Sequence, residues 1–178
     1  MQKLWLLLLS VLVGVWGCKR SEVLPLAPTA TTNTFLQWAV AAEATSQFGY
    51  PDWSVTRILG APDVSGCVDD PRAWASARGN GVESVRLTYA RPVYATEVQV
   101  YQTWGRGALA RISLVDEAGN VVIVWESTDT VEPCPGVLAV VMPRTSYRVV
   151  EVRIDLDESR TGFWNQIDAV ALIGVPSS

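Results

Sequence analysis

Trp104 and Arg106 stand on either side of Gly105 in the stretch "TWGRG", and these residue types suit recognition. An indole offers a flat π face on which a sugar ring can stack, and a guanidinium presents fixed N–H donors to hydroxyl or carboxylate groups. Gly105 and Gly107 have a plain use, since a tight connection between strands needs positive-φ positions. Trp104 has two readings. Either it folds back onto the protein body, or it stays at a tip and forfeits roughly 1.5–3 kcal/mol of burial until a partner covers it. Trp53 in "PDWS" and Trp164 after "RTGF" join Trp104 and Arg106 as candidates for ligand contact. For Trp53, as for Trp74 in "AWAS" and for Trp125, packing at the core or a sheet edge is the competing explanation.

The chemistry of catalysis is poorly supplied. No histidine occurs in the 178 residues, which removes the commonest general base and the commonest transition-metal ligand. Neither nucleophile-elbow nor phosphate-loop spacing is present. Glu126 and Asp129 could in principle act as paired carboxylates, but neighbouring acids on a solvated loop are common, and Asp69 and Asp70 read as an exposed turn. The expectation is a protein that is not an enzyme. With 14 basic against 18 acidic residues, a net charge of −4, nothing electrostatic favours nucleic acid as a partner.

The elements that must position these residues are strands. "VVEVRIDLD" alternates Val150, Val152, Ile154 and Leu156 with Glu151, Arg153, Asp155 and Asp157, which predicts one core face and one wet face. "VESVRLTY" places Val85, Leu87 and Tyr89 inward by the same period. "ARISLVDEAGNVVIVWES" predicts a hairpin turning at Glu117 to Asn120. "VYATEVQVYQTW", "VLAVVMP" and "QIDAVALIG" complete the set, with "WAVAAEATS" as a first strand. Short strands divided by Gly and Pro clusters argue for a sandwich or jelly roll.

The amino terminus reads as an address. Lys3 precedes the apolar run Leu4 to Val15, which is too short for a hydrocarbon core of about 30 Å but suits an export signal. "VWGC", ending at Cys18, resembles the lipobox of bacterial lipoproteins; the competing reading is an ordinary cleaved signal with an incidental cysteine. Residues 1–17 are therefore expected to be signal peptide, and 18–37 a lipid-anchor cysteine with a Pro- and Thr-rich tether. Residues 38–175 are left as the folded domain. Acyl chains on Cys18 would hold the protein on a membrane, and Lys19 in place of Asp favours the outer one. Of three cysteines, Cys67 and Cys134 then remain. Export implies an oxidising compartment, and two cysteines with neither histidine nor further cysteine make an incomplete zinc shell. A disulfide between them is expected, contributing roughly 4 kcal/mol by loop closure.

"ATSQFGYPDWSVTRILGAPDV", "AWAS", "VRLTYARPVYATEVQVYQTWGRGALARISLVD" and "WNQIDAVALIG", in that order, resemble the discoidin-like, galactose-binding-like jelly rolls. The likeness is greatest to the branch that also forms the amino-terminal domain of an F-box, leucine-rich-repeat protein. That branch is similar in carrying a cysteine before the "AWAS" position and another before the sixth strand. The resemblance implies an all-β, eight-stranded antiparallel sandwich that binds through loops at one end, often a glycan or lipid headgroup, and frequently holds a structural Ca²⁺. It places Asp63 and Asp168 where the first long loop meets the last strand. An inward Asp168 needs a cation or several hydrogen-bond donors, so calcium and a braced loop are both open. "TWGRGAL" departs from the pattern of relatives at the tip. The expectation is a membrane-anchored, non-catalytic module that recognises a glycan or other extracytoplasmic ligand. The alternative is a lipoprotein that docks an envelope protein.

Overall fold

The computed structural model describes residues 33–127 and 133–176. In these the chain forms eight antiparallel strands. They are β1 (Phe35–Trp38), β2 (Ala41–Ala44), β3 (Val82–Trp104), β4 (Leu109–Asp116), β5 (Val121–Glu126), β6 (Gly136–Val141), β7 (Arg148–Asp157) and β8 (Gln166–Pro176). The jelly roll expected from the alternation, with the eight strands that the resemblance implies, is therefore present. Strand β3 is longer than expected, because "VESVRLTY" and "VYATEVQVYQTW" are one bent strand. Its first half pairs with β2 and β7 and its second with β6 and β8. The register breaks between Thr88 and Val93, where Pro92 has no N–H to give to a ladder. This bend carries β3 from one layer, β5-β4-β7-β3-β2, into the other, β6-β3-β8-β1.

Val85, Leu87 and Tyr89 are buried as the period-2 pattern requires. They pack with Ile112, Leu114, Val152 and Ile154 and with Val98, Val100, Val170 and Leu172 in one core cluster. Full burial of each such side chain contributes about 1.5–3 kcal/mol. In β7 the expected face is corrected at one position: Val149 is buried, whereas Val150 is only half-buried. Val115 pairs with Glu151 and Asp116 with Val149, so Val150 is the extra residue of a bulge and the alternation slips there. Strand β8 is buried on both faces. Its outer face carries Ala169 opposite Tyr101 and Ala171 opposite Trp38, and those two rings meet edge-on at 5.5 Å over the small side chains.

The tether, expected to reach residue 37, gives way to strand by Phe35. Phe35 packs against the core with the Arg91 guanidinium 5.4 Å over its ring, and the Gln37 amide bonds both backbone groups of Arg91. The expected first strand splits into β1 and β2. Cys67 and Cys134 form the expected disulfide. Cys18 and its signal lie outside the described residues, as does Asp129, while Glu126 pairs with Arg111.

Candidate functional site: an aromatic pocket at one end of the sandwich

Strand β3 ends at Trp104 and β8 begins at Gln166, and these two residues pair across the sheet. Around them the loops close a pocket of about 170 Å³. Its walls are Phe48, Trp53, Trp104 and Trp164, with Ala75, the Asp69 carboxylate and the Gln166 amide. Three of the four expected ligand-contact residues thus converge. Trp104 neither folds fully back nor stands free: it is 38% exposed, as is Trp164. Arg106 is elsewhere. Its guanidinium donates to the Pro133 carbonyl and lies where a side chain at Gly136 would stand. Trp74 is core, and Trp125 packs against it.

The loop conformation that aims Trp53 is costly. Its φ is +51°, a region that a bulky side chain rarely adopts. Main-chain bonds on both sides hold it there, from Trp53 N–H to the Pro71 carbonyl at 2.9 Å and from Ala75 N–H to the Trp53 carbonyl at 3.2 Å. Strain of this kind persists only where the surroundings over-determine it. The indole Nε1 then donates to Asp69 Oδ1 at 3.1 Å, and the buried Gln166 amide donates to the same oxygen. Gln166 Oε1 accepts in turn from Asp70 N–H at 3.1 Å. Asp69 Oδ2 is left without a partner among the described residues. Phe48 stands between two tryptophans, its ring 5.4 Å from Trp53 at 72° and 5.7 Å from Trp164 at 89°.

Trp164 is set by a buried polar hub. Asn165 N–H donates to Glu158 Oε1 at 3.0 Å, and its Nδ2 donates to the Gly105 carbonyl at 2.6 Å and to Gln102 Oε1 at 3.2 Å. Glu158 is fully buried. Its other oxygen takes the Ser76 hydroxyl at 2.6 Å, and burial pushes its carboxyl above the usual carboxylate range. A Cβ at Gly105 would stand 1.9 Å from the Trp164 carbonyl oxygen, and one at Gly79 2.6 Å from the Trp164 amide. The "WGRG" glycine thus allows a close backbone approach as well as a turn.

Asp168 is buried, and burial raises its carboxyl while the Val64 and Asp63 amides act against that. Its Oδ2 accepts from Asp63 N–H and Val64 N–H, each at 3.1 Å. Asp63 meets it with an amide, not a carboxylate, and the Asp63 carbonyl is occupied by Arg72 at 2.8 Å. Among the described residues no three acidic, Cys or His side chains converge. This donor set does not fit a calcium ion between Asp63 and Asp168; it fits a carboxylate that braces the loop. Phe48, Asp69, Gln166 and Glu158 were not singled out by sequence reasoning. The acidic turn "VDDP" hid Asp69, because nothing local says that Trp53 and Gln166 reach it.

No curated protein sequence matches the chain. Among solved structures, a chitosan-binding module from a chitosanase/glucanase of Paenibacillus sp. IK-5 has a TM-score of 0.58 at 16% identity, over 74% of this chain and 92% of that one. A module of Clostridium perfringens in complex with GalNAc-beta-1,3-galactose reaches 0.57 at 11%, over 76% and 94%. Reduced XRCC1 bound to DNA pol beta catalytic domain reaches 0.57 at 16%, over 79% and 97%. At these identities the likeness concerns the fold alone, a β-sandwich jelly roll. Residues 28–178 match the family model described as pappalysin-1, SD scarf domain, C-terminal, and the chain belongs to that family.

Proposed function

We propose that this chain is a non-catalytic, membrane-anchored module that binds a glycan in the pocket between Trp53, Trp104 and Trp164. The observation that carries the reading is the convergence of four aromatic side chains on one carboxylate and one fixed amide. Rings supply the faces on which sugar C–H groups stack, and the polar pair orients hydroxyls. Two of the similar folds, by their names, bind chitosan and GalNAc-beta-1,3-galactose. Among the described residues, Asp69 is the one ionisable side chain lining the pocket, whereas glycoside hydrolysis ordinarily needs two carboxylates. Anchoring rests on the "VWGC" motif. Labelled palmitate should enter the native chain and not a Cys18→Ala variant.

Titration against a panel of oligosaccharides, followed by intrinsic tryptophan fluorescence, tests the glycan reading. Trp104→Ala should weaken binding at least about tenfold while changing stability by less than about 1 kcal/mol. If no saccharide in the panel binds the wild-type chain, the reading fails. The docking alternative draws on the edge strand β5, whose Val121, Val122 and Ile123 are exposed, since an apolar edge is a template for another strand. A co-purifying envelope protein, retained in excess sugar and lost on Ile123→Lys, would favour it.

A further inference from the structure

Resting on the glycan reading above for its source, but not for its chemistry, we infer that the aromatic pocket recognises an organic ammonium cation. A neutral sugar needs one open flat face to stack on. Here Phe48 stands nearly perpendicular to both Trp53 and Trp164, and Trp104 adds a further wall, so the rings form a box. Four aromatic rings around one volume of about 170 Å³ suit a compact cation, which aromatic π systems attract. The charge in the lining has the matching sign. Among the described residues, Asp69 is its only ionisable group, no Lys or Arg side chain lines the pocket, and Asp69 is anchored through Oδ1 alone by Trp53 and Gln166. Its Oδ2 is the acceptor left to balance an N–H or a methylated nitrogen. The same carboxylate, in a pocket with no cation of its own, works against anionic sugars such as uronic acids.

Two sources carry this chemistry, the protonated amine of an unacetylated amino sugar and the quaternary amine of a choline-type headgroup. Calorimetry on the full chain with glucosamine trimer, N-acetylglucosamine trimer and choline separates them. The free-amine trimer should bind about tenfold more tightly than its acetylated counterpart. Asp69→Asn, which keeps the Oδ1 acceptor, should abolish that difference without moving the melting temperature. The wild-type comparison of the two trimers stands whether or not the variant folds. Choline binding with neither trimer bound keeps the ammonium recognition and overturns the glycan source. Equal or tighter binding of the acetylated trimer overturns the inference and leaves the glycan reading standing. Binding of none of the three probes overturns the inference outright, while the oligosaccharide panel decides the glycan reading separately.

Discussion

Ser76 has one hydroxyl proton and two acceptors within reach, the Arg78 carbonyl at 2.9 Å and Glu158 Oε2 at 2.6 Å. Burial raises the Glu158 carboxyl, while the Ser76 hydroxyl and the Asn165 amide act against that. A folded pKa above the unfolded one means that the native state holds the proton more tightly. The Glu158 contribution to stability is therefore complete below the unfolded value near 4.5 and is lost as pH rises through the folded value. Asp168 acts with the same sign, from near 3.8 upward. Asp70, Asp116 and Asp157, lowered by hydrogen bonds, act oppositely, so the comparison must be with a variant. Glu158→Gln should gain on the wild type, in urea midpoint, as pH increases from about 4.5 toward neutrality. A difference that stays constant with pH would refute the assignment. Glu158→Ala, which leaves Asn165 N–H buried without a partner, should cost about 3 kcal/mol. Nothing in "LDESRTG" announces this role, because one donor, Ser76, lies 82 residues away and the other, Asn165, lies beyond the stretch. Trp104, by contrast, stood out in the sequence but with two readings, and the structure sets it in the pocket wall at 38% exposure, between the two.

Among the elements, those whose hydrophobic period survives intact were readable, and those that bend were not. The β4–β5 hairpin follows directly from "DEAGN", since Asp116 Oδ1 caps the turn by accepting from Ala118 and Asn120 amides at 2.9 and 2.8 Å. Strand β3 was read as two, because Arg91-Pro92 marks the bend as a break and no local signal tells a corner from a loop. Val150 shows the same limit at smaller scale, a bulge decided by the partner strand. The loop between β3 and β4 gives the sharpest test at this level. Gly105 holds φ +62° against the Trp164 carbonyl, so Gly105→Ala combines left-handed backbone cost with a clash that must push the Trp164 loop away. A loss of about 3 kcal/mol is expected, with ligand affinity falling beyond what Trp104→Ala causes. Thermal melts and fluorescence titration measure both. A variant as stable as wild type would show that the two backbones separate freely.

The molecule as a whole is held by one spine and one staple. Cys67 and Cys134 lie 67 residues apart, so reduction, or the double Cys→Ser replacement, should lower stability by about 4 kcal/mol through loop closure. Chemical denaturation with and without reductant measures it, and a change under about 1 kcal/mol would contradict the expectation. This pairing and the layered fold were foreseeable from composition and period. The pocket was only half so, because its polar members, Asp69 on a loop and Gln166 at the start of β8, stand 97 residues apart in sequence. One further consequence lies in the register of β1. Phe35 stands opposite Gly174, eight positions along β8 from Gln166 at the pocket, about 26 Å at strand rise. Phe35 and Trp104 thus stand toward opposite ends of β8. A ligand seated between Trp104 and Trp164 therefore leaves Phe35, and the end of the sheet against which it packs, uncovered.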